Sequence, residues 1–321
     1  MNICVIGLGS MGKRRIRLLK QLIPDSRIWG VESNPERRKA VEEEYEIKCY
    51  PSLTDVDVDL ECAFVCTSPQ FHAGIIKECL ENEMHVFSEI NLVSERYDEN
   101  ICLARQKGKI LFLSSTPLYK EEMKIINERV KQNGKPCAYQ YHVGQYLPDW
   151  HPWDNLKDFF VSNRATNGCR EIFAIELPWL QSVFGGIKGV QVMKRKLTSL
   201  DLDFSDTYFV QMEHENGNVG SLTVDVVSRQ TVRDLEVFNE DLYIRWNGTP
   251  DSLFEKDIVV GELKKIPAGE YVHESGYGDF INEYAYAREI EEFFQVINGK
   301  DPIYDFEKDK KLLALIDEME R

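Results

Sequence analysis

Apolar, β-rich runs recur along the first 120 residues at Asn2 to Gly7, Ile28 to Glu32, Cys62 to Thr67, His85 to Glu89 and Ile110 to Ser114. Amphipathic stretches lie between them at Met11 to Leu22, Pro35 to Glu44, Gln70 to Asn82 and Glu95 to Lys107. Strand and helix in strict alternation predict a parallel, doubly wound sheet of Rossmann type. After Pro117 the pattern changes. A helix over Leu118 to Gln132 leads to Asn133-Gly134, and the later run TYFVQMEHENGNVGSLTVDVV alternates apolar and polar residues on either side of Asn216-Gly217-Asn218. Two alternating runs joined by so short a turn make a hairpin, which a parallel sheet cannot contain, so the second half is expected to hold a mostly antiparallel sheet. Helices over Asp279 to Asn298 and Phe306 to Glu320 close the chain. The expected division is 1–118 for the Rossmann domain and 119–321 for an α/β domain that binds substrate and makes subunit contacts.

Composition narrows the classes. A chain of 321 residues with 43% hydrophobic content can bury a large core and is long for a single domain. Its net charge of -15 would repel nucleic-acid phosphates. The eight cysteines form no CxxC pair; Cys62 and Cys66, four apart in an apolar strand, share one face. They read as small core residues in a reducing, cytoplasmic setting, with no metal site. No apolar run reaches the length of a membrane span, and the N-terminus lacks the charged lead of a signal peptide.

Candidate chemistry begins at GLGSMG, where Gly7, Gly9 and Gly12 have GxGxxG spacing between the first strand and the first helix. The first glycine permits the tight turn, the second lets a pyrophosphate approach the backbone over Ser10 and Met11, and the third lets helix and strand pack closely. Glu32, 20 residues after Gly12 at the end of the second strand, is placed to bind the two ribose hydroxyls. A carboxylate there disfavours a 2′-phosphate, so NAD is expected over NADP, although Arg37 and Arg38 stand one turn further on. CTSPQFH ends the next long strand. Ligands of open α/β sheets sit beyond the carboxyl ends of the strands, which brings Thr67, Ser68, Pro69 and His72 towards the nicotinamide half. For His72, a place on the helix surface is the equal alternative.

Taken together, GLGSMG, Glu32, CTSPQFHAGIIKECLENEMHVFSE and the antiparallel second half resemble the Gfo/Idh/MocA oxidoreductases, the family of glucose-fructose oxidoreductase and inositol dehydrogenase. The resemblance implies an NAD-binding Rossmann domain, a sugar-like substrate and a homodimer or homotetramer joined through the second sheet. It also exposes two departures. The family usually reads Glu-Lys-Pro where this chain has Glu89, Ile90 and Asn91, and its lysine assists proton transfer. A second family motif sets an aspartate, then a histidine that serves as acid/base, on a helix before Phe-Gly; counting back from Phe184-Gly185 puts Glu171 and Ile175 there.

Oxidising an alcohol requires a base for the hydroxyl proton, and neither isoleucine supplies one. Glu89 is then expected to position groups near the nicotinamide or to anchor its loop. HVGQYLPDWHPWDN, residues 142–155, is dense in aromatic and polar side chains, as sugar sites are, and resembles a loop of family members tied to bacterial surface-sugar synthesis. Its His142 and His151 are the first candidates for the proton step. Glu171 and Tyr119 are further ones, with ion pairing, solvation or packing as their alternatives. Two readings follow: an NAD-dependent oxidoreductase acting on a sugar or nucleotide-sugar with unusual acid/base residues, or a catalytically inactive NAD-binding member acting as a binding or regulatory subunit.

Overall fold

The computed structural model describes residues 1–150, 155–269 and 281–321, in two compact units. The first comprises Met1–Ser115 and Tyr286–Leu313, the second Thr116–Ala285 and Ala314–Arg321.

In the first unit β1 (Asn2–Ile6), α1 (Ser10–Leu22), β2 (Arg27–Val31), α2 (Pro35–Tyr45), β3 (Lys48–Tyr50), β4 (Cys62–Val65), α3 (His72–Glu81), β5 (His85–Ser88), α4 (Tyr97–Lys107) and β6 (Leu111–Leu113) alternate as the hydrophobic pattern requires. The strands pair in parallel in the order β3-β2-β1-β4-β5-β6, the doubly wound Rossmann order. β3 is the one strand of this sheet absent from the sequence pattern; three residues, Lys-Cys-Tyr, are too few to display a period.

The second unit holds α5 (Glu121–Asn133), β7 (Ala138–Gly144), α6 (Gly168–Phe184), β8 (Ile187–Arg195), β9 (Thr207–His214), β10 (Val219–Asp225), β11 (Val232–Phe238), β12 (Tyr243–Trp246), β13 (Phe254–Lys256) and β14 (Leu263–Lys265). Its sheet runs β14-β13-β12-β11-β7-β10-β9-β8, antiparallel except where β7 pairs with β10. The expected hairpin joins β9 to β10, with Gly217 at φ +86° in the turn. Strand parity decides which side chains are covered. Tyr139 stacks on Phe184 of α6 at 4.2 Å and Tyr141 meets Trp179 edge-on at 5.4 Å, so the odd residues of β7 face α6 while Gln140 and His142 face the opposite side.

Two helices close the chain, α7 (Glu283–Ile297) and α8 (Phe306–Glu320). The first residues expected in α7, 279 and 280, lie outside the described residues. The sequence placed everything after residue 118 in one domain, yet Tyr286–Leu313 belongs with the Rossmann sheet. The reason is packing: Phe293 sets its edge against Phe64, Phe87 and Phe112 at 5.4, 5.6 and 5.6 Å, and Asp309 accepts a 2.6 Å hydrogen bond from Tyr97.

Candidate functional site

The glycine turn is built as a cradle. Gly7 follows β1 at φ +88°, and its N–H donates to the Val31 carbonyl at 2.8 Å. A Cβ on Gly12 would lie 2.0 Å from the Gly7 oxygen, whereas one on Gly9 would meet no atom within 4 Å. Helix and strand therefore touch at the third glycine, and the backbone lies open at the second. Helix α1 starts at Ser10 and Met11 with no side chain capping it and no acid in its first turn, which leaves its end suited to phosphate.

Glu32 ends beside that turn. Its Oε2 accepts from the Leu8 N–H and from Arg37 Nη1, each at 3.1 Å, and its Oε1 accepts from the Asn34 N–H at 3.0 Å. Burial pushes the carboxyl pKa up, but the two backbone donors and Arg37 outweigh it and hold the group below the ordinary carboxylate range. It stays charged, as ribose recognition requires. The features present fit a dinucleotide: a bare backbone for pyrophosphate and an ionised acid at the end of β2.

Thr67 and Ser68 are half-open in the loop after β4, and Pro69 starts the 3-10 turn Pro69–Phe71. His72 is only 1% exposed. Its Nε2 lies 2.8 Å from the Thr67 carbonyl and its Nδ1 2.7 Å from Asn91 Oδ1, and burial lowers its pKa. The imidazole ties together the loops that follow β4 and β5, so it serves the loops and not a ligand directly. Glu89 is likewise engaged. Arg15 on α1 grips it with Nε–Oε1 at 2.6 Å and Nη2–Oε2 at 3.2 Å, and the same Nη2 reaches Glu289 Oε2 at 2.7 Å. The anchor half of the expectation for Glu89 matches this geometry; direct cofactor contact does not, with both oxygens on one guanidinium. Arg15 and Glu289 carried no sequence signal.

In the second unit the four catalytic candidates separate. His151 lies outside the described residues. His142 departs from expectation: it sits on the face of the sheet turned away from α6, with Nε2 2.6 Å from Asp225 Oδ2. Although burial raises Asp225, hydrogen bonds from His142, Val227 and Ser228 hold its pKa below the usual value, so this carboxylate is a fixed partner. The parity of AYQYHVG carried that information; the loop reading of residues 142–155 passed over it. Tyr119, 7% exposed, belongs to the 3-10 turn Thr116–Tyr119, which packs on α6.

From Gly168 to Leu180, α6 buries every residue except Glu171 and Ile175, which are half-open and stand one turn apart. Oε2 of Glu171 is buried without a hydrogen-bond partner, and burial alone raises the pKa to about 7. Glu176, five residues on, points into the interior: Tyr141 OH and Trp179 Nε1 donate to its Oε2 at 2.8 and 2.6 Å, and Arg233 Nη2 to its Oε1 at 2.6 Å. Beside that pair, half-buried Lys120 has its pKa brought down to about 8 by burial and by Arg233, against the pull of Glu122 and Glu176. Sequence reasoning missed Lys120 and Arg233, which lie far apart in the chain. In the aromatic loop, Arg229 lies 4.0 Å over the Tyr146 ring, and a Cβ on Gly168 would touch Leu147 and Val226, so loop and helix start are in contact. Among the described residues, no three His, Cys, Asp or Glu side chains converge to hold a metal, and no helix is long and apolar enough to cross a membrane.

Comparison with known proteins bears on both units. Residues 1–115 match the family model described as the oxidoreductase family, NAD-binding Rossmann fold, of the Gfo/Idh/MocA group. UDP-N-acetylglucosamine 3-dehydrogenase of Acidithiobacillus ferrooxidans is 21% identical over 307 residues, covering 95% of this chain and 91% of that protein. Two solved structures share the fold across both units. One is the WlbA dehydrogenase of Chromobacterium violaceum with NADH and UDP-GlcNAcA, with a TM-score of 0.77, 17% identity, and 99% and 92% of the two chains covered. The other is an oxidoreductase from Agrobacterium radiobacter with NAD+, L-tartaric acid and magnesium, with a TM-score of 0.81, 11% identity, and 99% and 94% covered.

Proposed function

We infer that this chain is a member of the Gfo/Idh/MocA oxidoreductases that binds NAD through its first unit and acts as a dehydrogenase on a hydroxyl of a sugar or nucleotide-sugar. The observation that carries the reading is the cradle itself: a backbone open over Gly9, a glycine contact closed at Gly12, and ionised Glu32 at the end of β2. When bound, the nicotinamide supplies the hydride acceptor or donor. The chain contributes the rest. Gly7, Gly9, Ser10, Met11 and Gly12 present the backbone to the pyrophosphate, Glu32 takes the ribose, Thr67, Ser68 and Pro69 border the nicotinamide side, and His72 and Glu89 hold the loops in place.

Support for a sugar comes from the second unit, where Tyr146 and Trp150 offer apolar faces beside hydrogen-bonding groups. The named activity of the Acidithiobacillus relative is on a nucleotide-sugar. The test is dinucleotide reduction across a panel of UDP-sugars and free sugars, run with NAD and NADP in parallel. Turnover with at least one nucleotide-sugar, with NAD preferred, is the expected result; equal use of NADP would remove the role given to Glu32. The inactive-subunit reading draws on half-open Ile90 and Ile175, which stand where family members carry proton-transfer groups. Tight NADH binding with no turnover on the whole panel would favour it.

The same reading includes a homo-oligomer in the cytoplasm, where eight free thiols are at home. The face of the second sheet away from α6 exposes Met193 (55%), Phe209 (42%) and Val219 (48%), and Met193 and Phe209 are register partners. A broad sheet with such a face needs cover, which a second copy supplies. Light scattering should give at least a dimer at micromolar concentration, and Phe209→Lys should weaken it. A monomeric wild type would overturn the assignment.

A further inference from the structure

We propose that His72 and Asn91 form a proton-operated clamp on the loop after β4: with both ring nitrogens protonated, His72 holds the Thr67 carbonyl and Asn91 together, and with one proton lost it releases Thr67. Both are positioning residues of the first unit. The consequence for NAD rests on the cofactor site proposed above; the clamp itself does not.

Hydrogens around this ring can be counted. Nδ1 of His72 lies 2.7 Å from Asn91 Oδ1, and Nε2 lies 2.8 Å from the Thr67 carbonyl oxygen. The carbonyl can only accept. The Asn91 amide is fixed as well, because its nitrogen donates towards Ser88 Oγ at 3.5 Å and to Tyr97 OH. Those hydroxyls have given their single hydrogen away, Ser88 to the Glu89 carbonyl at 2.9 Å and Tyr97 to Asp309 Oδ2 at 2.6 Å. An amide turned round would set its oxygen against two sets of lone pairs. Both ring nitrogens of His72 therefore face acceptors. A neutral imidazole has one N–H, so the imidazolium alone satisfies both contacts.

The surroundings pull that second proton both ways. Burial lowers the proton affinity of the ring below the ordinary histidine value, while the Thr67 carbonyl, Asn91 and the charge of Glu89 favour the imidazolium. Glu89 is itself gripped by Arg15, and Cys66, beside Thr67, is kept neutral by burial. Tyr97 on α4 and Asp309 on α8 reach the ring through Asn91. When the proton leaves, the two contacts differ in what can replace them. Asn91 is 2% exposed, so its oxygen is shut off from solvent and Nδ1 keeps its hydrogen; Thr67 is half-open, and its carbonyl can take water instead. That release reaches the cradle. A Cβ on Gly7 would lie 2.8 Å from the Cys66 carbonyl carbon and the Thr67 nitrogen, so the glycine turn packs on this loop. Opening the clamp loosens the backbone against which the turn rests.

The experiment follows the His72 ring by nitrogen NMR and the Thr67 carbonyl by carbon NMR between about pH 5 and pH 8, the ring being identified by its proximity to Asn91. In wild type the ring should show two N–H groups at the acid end and one, on Nδ1, at the alkaline end, and the Thr67 carbonyl should shift at the same midpoint. Asn91→Asp sets a carboxylate against Nδ1 and should raise that midpoint by about 1–3 pH units. Asn91→Leu removes the competing acceptor, so a neutral ring can keep its hydrogen on Nε2 and the Thr67 signal should stop moving with pH. NAD+ affinity, measured by calorimetric titration, should fall roughly threefold to tenfold as pH rises through the wild-type midpoint, the loss expected for one hydrogen bond, and stay level in Asn91→Leu. A wild-type ring whose protonation stays the same over this range, or a Thr67 carbonyl indifferent to it, overturns the clamp whether or not the variants fold. Constant NAD+ affinity across a titrating clamp overturns its role at the cofactor. A chain that binds no dinucleotide at any pH defeats the cofactor site instead, and the two NMR signals then decide the clamp alone.

Discussion

Replacing Arg15 by alanine is expected to destabilise the first unit by about 3–5 kcal/mol, the usual cost of stranding buried charge. Arg15 is fully buried and holds two carboxylates, Glu89 from the loop after β5 and Glu289 from α7, while also donating to Ser114 Oγ and the Tyr286 carbonyl at 3.3 Å. Its guanidinium lies 4.5 Å over the Phe87 ring. Without it, two buried acids lose the guanidinium they share. Burial already pushes Glu289 upward in pKa, with Arg15 opposing, so the variant should respond by taking up protons and should be least stable at alkaline pH. The triple variant Arg15→Met, Glu89→Gln, Glu289→Gln should recover much of the loss, because neutral groups carry a far smaller desolvation penalty. Urea unfolding at pH 6 and pH 9 measures both effects. A loss below about 1 kcal/mol would mean that water reaches the cluster, and the anchor role of Glu89 would fall with it.

That cluster also marks the limit of the sequence. Strands of the first unit were legible because their apolar runs are continuous, and the proposed nucleotide cradle was legible because its glycine turn, its open backbone and Glu32 are all local to residues 7–32. Arg15 was not, since KRRIRLLK reads as an amphipathic helix with a basic outer face, and nothing in it says which arginine turns inward. Its partners lie 74 and 274 residues away. The return of α7 to the Rossmann sheet has the same cause, an aromatic contact through Phe293 that no periodicity encodes. His142 is a different kind of case. Tyr139, Tyr141 and Val143 alternate with Gln140 and His142, so strand parity already separated the histidine from the covered face. The two glutamates of α6 stand between these cases: residues five apart in a helix point to different faces, but only packing shows that Glu176 is enclosed by hydrogen bonds and Glu171 half-open.

The glycines of the cradle can be separated by experiment. Gly12→Ala should damage the fold itself, because its Cβ would lie 2.0 Å from the Gly7 oxygen, in backbone that cannot rotate away. Forcing α1 off β1 should cost roughly 1–3 kcal/mol or more and abolish measurable NADH binding. Gly9→Ala should behave otherwise. Gly9 has φ -74° and ψ -161°, which alanine adopts without strain, and its Cβ would meet nothing within 4 Å, so stability should stay within about 0.5 kcal/mol of wild type. The space that Cβ enters is the space assigned to the pyrophosphate. NADH affinity should therefore fall at least about tenfold, or about 1.4 kcal/mol, in a protein that melts normally. Thermal unfolding and calorimetric titration on the two variants resolve the question: a Gly9→Ala protein that binds NADH as tightly as wild type would show that the dinucleotide does not cross the turn at its second glycine, and the cofactor site would have to be sought elsewhere on the sheet.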